Sequence, residues 1–234
     1  MTIGEILQID KELLLTVNGS NSLFLDGLAV ALTTSVTWIP LYVALFYLVL
    51  KNNESVKKIL LILVCAALCL LLAGTVDDNL IKPGVARWRP THDLEIGTMV
   101  DVVDGYRGGR FGFFSAHAAN TFSIALFFCL LVRSTLLSSL MFCWSLINCW
   151  TRLYLGVHFP IDIVCGLLWG TVVGTVVFLL FNKLCHKMGE VSGGYVSNHF
   201  TVTGYRYADV DVVAAVAALI LLYCTTRACL MLVV

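Results

Sequence analysis

The chain has 234 residues, 59% of them hydrophobic and 13% charged, with a formal net charge of zero and a mean hydropathy of +0.90. Soluble domains carry nearer a quarter charged residues, so this composition excludes an ordinary soluble protein and indicates a polytopic membrane protein. The balanced charge gives no sign of a nucleic-acid partner.

The first stretch, Ile3 to Val17, has apolar residues at Ile3, Ile6, Leu7, Ile9, Leu13, Leu14 and Val17. That one-sided helical spacing predicts a helix lying on the membrane surface. Glu5, Asp10, Lys11 and Glu12 interrupt it too often for a span, and they deny it the basic start and apolar core of a signal peptide.

A membrane-spanning helix needs about 20 mostly apolar residues. Six stretches qualify: 28–50, 58–76, 115–133, 135–155, 161–182 and 210–232. The expected fold is therefore all-α, one integral-membrane domain over 1–234 built as a bundle of six spans. Eight of the nine cysteines lie inside apolar runs with no CxxC pair, where cysteine behaves as a small hydrophobe.

The connections are unequal. The longest, Asp77 to Phe114, holds Lys82, Arg87, Arg89, Arg107 and Arg110 among six acidic residues, and loops of that length tend to be functional. Lys183 to Tyr207 reads as a small hairpin without chemistry. Six spans put the long loop, the Arg152–Asp162 connection and both termini on one face. Lys51, Lys57, Lys58, Arg133, Lys183, Lys187 and Arg206 lie on the other, and short cytoplasmic loops favour Lys and Arg. The face with the long loop is accordingly expected outside the cytoplasm.

Three clusters fall on that face: "KPGVARWRP" with Lys82 and Arg89, "FFSAH" with Ser115 and His117, and "TRLYLGVHFPID" with Arg152, His158 and Asp162. Lys82, Arg89 and Arg152 supply three cations suited to the oxygens of a phosphoryl group. Ser115 sits where a helix begins, and free N–H groups there favour an anion. Phosphoryl transfer can use two histidines, one as nucleophile and one as proton donor. Asp162, four residues after His158 across Pro160, can bond one ring nitrogen and leave the other free.

The ordered spacing Lys-x6-Arg-Pro, then Ser-x-His, then Arg-x5-His-x3-Asp resembles the type 2 phosphatidic acid phosphatase (PAP2) superfamily. That resemblance implies His158 as a nucleophile forming a phosphohistidine, Asp162 orienting it, and His117 as the general acid. It implies a phosphate cradle of Lys82, Arg89, Ser115, Arg152 and the backbone at Ala116, with no metal and no cofactor. The partners it implies are a phosphorylated membrane lipid and the bilayer, with no obligate protein partner. Two departures stand out: Phe114-Ser115-Ala116-His117 replaces the family's Pro-Ser-Gly-His, and Thr151 precedes Arg152 in place of serine. Losing Pro removes a rigid lead-in to the helix, and Ala for Gly is harmless only where φ is helical.

A site at headgroup level selects amphiphiles. The expected substrate is an envelope lipid such as lipid A or undecaprenyl diphosphate, in a bacterial inner membrane with the site facing the periplasm. Arg107 and Arg110, among Gly108, Gly109 and Gly112, are candidate contacts to a further phosphate or sugar. A transferase using the same phosphohistidine and an inactive scaffold are the rival expectations. A transporter would scatter ionisable groups through several spans near the midplane, whereas these cluster at one face.

Overall fold

The computed structural model describes residues 2–190 and 197–232, and among them the architecture is all-helical. Helix α1 spans Ile3–Val17 and opens on a capping box in which Thr2 and Glu5 satisfy each other's backbone N–H. Ile3, Ile6, Leu7, Ile9 and Leu13 face outward, while Asp10 and Leu14 are buried.

The first expected span is broken in two. α2 (Leu23–Thr33) and α3 (Ile39–Asn52) are separated by an extended Thr34 and the 3-10 turn Ser35–Trp38. The sequence 28–50 reads as one apolar run because hydropathy does not register the freed carbonyls. Side chains satisfy them here: Thr34 donates to Val30 O at 2.7 Å, Thr37 to Ala31 O at 2.8 Å and Trp38 Nε1 to Leu32 O at 2.8 Å. A helix in lipid tolerates a break only with such replacements, and Pro40 lacks the N–H a restarting first turn would leave unpaired.

α4 (Val56–Val76) runs through a π turn, Asp77–Ile81, into the single turn α5 (Lys82–Val85). α6 (Ala116–Val132), α7 (Thr135–Tyr154), α8 (Pro160–Lys187) and α9 (Tyr207–Leu230) follow at the remaining expected spans. Among the described residues four stretches are long and apolar enough to cross a membrane: Ser35–Asn52, Val56–Val85, Pro160–Lys187 and Tyr207–Leu230. The chain is a membrane protein.

α6 is the centre of the bundle, packed on α4, α7 and α8. It meets α8 at short range where Gly166, Gly170 and Gly174 recur every fourth residue. A Cβ at those positions would stand 2.7, 2.7 and 2.8 Å from the carbonyl oxygens of Ser115, Ala119 and Ser123. Small residues at this spacing let two membrane helices meet backbone to backbone. The result brings the start of α6, with Ser115 and His117, against the start of α8, with His158 and Asp162.

The long connection is held in place. Trp88 and Phe111 form a bridge, and Pro90–His92 and Val103–Gly105 make 3-10 turns. On the opposite face, Phe200 and Arg206 bridge as a short hairpin over Tyr205, whose hydroxyl accepts from Asn53 at 3.1 Å. The expected hairpin region also includes 191–196, which lie outside the described residues.

Candidate active site

The segment from Arg152 to Asp162 folds back on itself at the mouth of α8. Val157 N–H donates to Arg152 O at 3.1 Å, and Gly156 turns the chain at φ +62°. A Cβ there would lie 2.4 Å from Val100, so both conformation and space require glycine. Pro160 then starts α8, and Asp162 caps it by accepting Phe159 N–H at 3.0 Å. Asp162 is fully buried, and its carbonyl accepts Ser115 N–H at 3.0 Å.

His158 lies between Asp162 and Arg89. Its Nδ1 is 3.6 Å from Asp162 Oδ2, and its Nε2 is 3.2 Å from Arg89 Nη1. A guanidinium can only donate, so Nε2 is the acceptor nitrogen and the proton sits on Nδ1, facing the carboxylate. Nε2 therefore carries the lone pair. Burial first, then the charges of Arg89 and Arg152, holds the imidazole well below the ordinary histidine range. Arg89 is itself buried and pinned by Phe111 O at 3.0 Å and Val157 O at 3.1 Å.

Ser115 caps α6, accepting Ala118 N–H, and Ala116 is the first residue of that helix. Ala116 is not among the residues with positive φ, so alanine fits where the family motif has glycine. The other departure has a partner: Phe114 N–H donates to Asp77 Oδ1 at 3.1 Å, a bond that proline cannot make. Asp77 Oδ2 in turn meets Lys82 Nζ at 2.8 Å, and Lys82 also pairs with Asp78. The ammonium is thus held by two carboxylates at the edge of the site. The charges of Arg152, Lys82 and Arg89 all reach both His117 and His158.

Arg152, 3% exposed, is gripped by Thr33 at 2.6 Å and by the Tyr106 hydroxyl at 2.9 Å. Its Nε is buried with no hydrogen-bond partner among the described residues, a donor chemically able to take an anion. His117 lines a cavity of about 150 Å³ that continues past Thr33, Ser35, Asn120 and Asn148 towards the break between α2 and α3. Arg107 and Arg110 are exposed. Arg110 stacks 4.5 Å from the Trp88 ring centroid and 5.5 Å from that of Phe111.

Sequence reasoning named Lys82, Arg89, Ser115, Ala116, His117, Arg152, His158 and Asp162, and the fold draws them to one end of the bundle. It missed Asp77, Thr33, Tyr106, Arg87 and Asp10. Only Arg87 carried a signal, two residues before Arg89. Among the described residues no group of three His, Cys, Asp or Glu comes together as a metal site. Chemically the arrangement offers an unprotonated imidazole nitrogen beside clustered cations and a helix N-terminus, which suits attack on a phosphoryl group.

A family model described as the PAP2 superfamily matches residues 58–185. A lipid A 4'-phosphatase of Bacteroides thetaiotaomicron is 39% identical over 181 residues, 77% of this chain and 80% of that protein. A lipid A 4'-phosphatase of Porphyromonas gingivalis is 34% identical over 179 residues, 75% of this chain and 74% of that protein. No solved structure gives a significant match.

Proposed function

The chain belongs to the PAP2 superfamily, and from that premise we propose that it is a membrane lipid phosphatase that removes the 4'-phosphate of lipid A through a phosphohistidine. The observation that carries the mechanism is the 3.2 Å contact from Arg89 to His158 Nε2, with the Asp162 carboxylate 3.6 Å from the other ring nitrogen. The substrate rests on the two relatives named for that reaction.

In this reading the phosphate enters between Arg89, Arg152, Lys82 and the N-terminus of α6. Arg89 passes from Nε2 to a phosphate oxygen, which frees the lone pair. Nε2 attacks phosphorus, the bond to the sugar oxygen breaks, and His117, protonated as the incoming phosphate's negative charge offsets the surrounding cations, gives that oxygen its proton. Asp162 faces the positive charge that forms on the imidazole ring. Water then attacks the phosphohistidine with His117 taking its proton, and inorganic phosphate leaves. The cations supply the charge neutralisation that such a transition state needs.

The basic residues of the opposite face, Lys51, Lys57, Lys58, Arg133, Lys183, Lys187 and Arg206, support an orientation with the site outside the cytoplasm. Arg107 and Arg110, exposed at the rim, are proposed to contact a further phosphate or sugar of the headgroup.

The test is phosphate release by detergent-purified protein, with chelator present, from lipid A, undecaprenyl diphosphate, phosphatidylglycerol phosphate and phosphatidic acid. Fastest release from lipid A, abolished by His158→Ala, is expected. Release that survives His158→Ala overturns the mechanism, and faster release from another lipid overturns the substrate.

A further inference from the structure

The carboxylate behind His158 is not held by the catalytic loop alone. Arg87 Nη1 donates to Asp162 Oδ1 at 2.6 Å, and Arg87 Nη2 donates to Asp10 Oδ2 at 2.6 Å. The other Asp10 oxygen accepts the backbone N–H of Ile161, in the first turn of α8, at 2.8 Å. Asp10 is 2% exposed. It lies on α1, outside residues 58–185 that the family model covers.

α1 is anchored for this contact. Leu14, fully buried, packs in one cluster with Phe159, Ile96 and Val100. Lys11 pairs with Asp93 at 3.0 Å and Glu95 at 2.8 Å. Asn18 exchanges hydrogen bonds with the Asp101 backbone and donates to Tyr154 O at 2.8 Å. Arg87 is further fixed by lying 4.3 Å from the Phe159 ring centroid.

We propose that Asp10 is a positioning residue for the phosphoryl-transfer step, acting through Arg87 on Asp162 and so on His158. Arg87 paired with Asp162 alone would neutralise the carboxylate that must face a cationic phosphoimidazole. With Asp10 as a second partner, the group Asp10–Arg87–Asp162 has a net charge of −1, and Asp162 keeps its negative potential towards Nδ1–H. A surface helix thus shapes the electrostatics around His158 through the residues beside it. The inference rests on His158 being the nucleophile.

The experiment compares wild type, Asp10→Asn, Asp10→Glu and His158→Ala in detergent, using release of phosphate from lipid A. It also measures inhibition by orthovanadate, which bonds covalently to a nucleophile in the geometry of the transition state, and by inorganic phosphate, which needs only the cation cradle. Wild-type release lost in His158→Ala establishes the underlying reading; no such loss rejects that reading, separately from this inference. Given it, Asp10→Asn should lower kcat and weaken vanadate inhibition roughly tenfold each, the equivalent of one pKa unit of charge interaction. KM and phosphate inhibition should stay within about twofold, and Asp10→Glu should restore part of kcat. Unchanged kcat and vanadate inhibition in Asp10→Asn overturn the proposal. So does a parallel loss of vanadate and phosphate inhibition with lower thermal stability, which a purely structural anchor would give.

Discussion

Phe114 donates its backbone N–H to Asp77 at 3.1 Å, and the same carboxylate holds Lys82 at 2.8 Å. The residue that departs from the family's proline therefore ties the start of α6 to a cation of the site. Phe114→Pro removes the donor from a buried acceptor, a loss of roughly 1–3 kcal/mol. It should lower both thermal stability and phosphate release. Ala116→Gly, at a position with helical φ, should change stability by no more than about 1 kcal/mol and leave release nearly intact. Thermal melting and release assays on both variants check this; the reverse ranking would contradict it.

The glycine row of α8 sets the distance between α6, which carries His117, and the helix that starts just after His158. Gly170→Leu forces bulk against Ala119 O, where even a Cβ would stand 2.7 Å away. Destabilisation of roughly 1–3 kcal/mol is expected from overpacking, with loss of activity. Gly109→Ala, where an added carbon meets nothing within 4 Å, should melt like wild type.

His158 makes stability depend on pH in a defined direction. In the folded protein its imidazole is held well below the ordinary range by burial and by Arg89 and Arg152, whereas in the unfolded chain it titrates near the ordinary value of about 6.5. As pH falls through that value the unfolded chain takes up a proton that the native site refuses. Stability contributed at neutral pH is thus lost by up to about 1.4 kcal/mol per pH unit below it. His158→Asn removes this contribution. Melting curves between about pH 7 and pH 5 should fall more steeply for wild type than for the variant; parallel curves would show that the imidazole is not held neutral.

Arg110 is prepositioned on Trp88 and Phe111. If it meets a distal part of the headgroup, Arg110→Ala should raise KM for lipid A by roughly three- to tenfold, the scale of one exposed charge contact. The same variant should leave KM for a small soluble phosphate ester unchanged. Equal effects on both substrates would instead assign Arg110 to the phosphate cradle.

Much of this molecule was legible from residue order. The apolar runs marked the helices of α4 and α6 to α9, and a one-sided pattern marked α1. The break at Thr34 was hidden because side-chain hydroxyls and an indole replace backbone bonds without altering hydropathy. The motifs named the histidines and cations that converge, since their spacing is local. The residues that hold them were not legible: Asp10, Thr33, Asp77 and Tyr106 come from distant segments and look like ordinary polar residues beside a span. The Gly166–Gly170–Gly174 row was readable in principle, as a four-residue repeat of small residues.

The most direct measurement of the central claim is chemical trapping of the enzyme during turnover. Protein mixed with lipid A labelled in its 4'-phosphate is quenched in alkali, digested and mapped by mass spectrometry. The account predicts an acid-labile, alkali-stable phosphoryl group on the peptide carrying His158, absent in His158→Ala and reduced in His117→Ala. Phosphate released at the wild-type rate with no label on the protein, or label on any other residue, would contradict it.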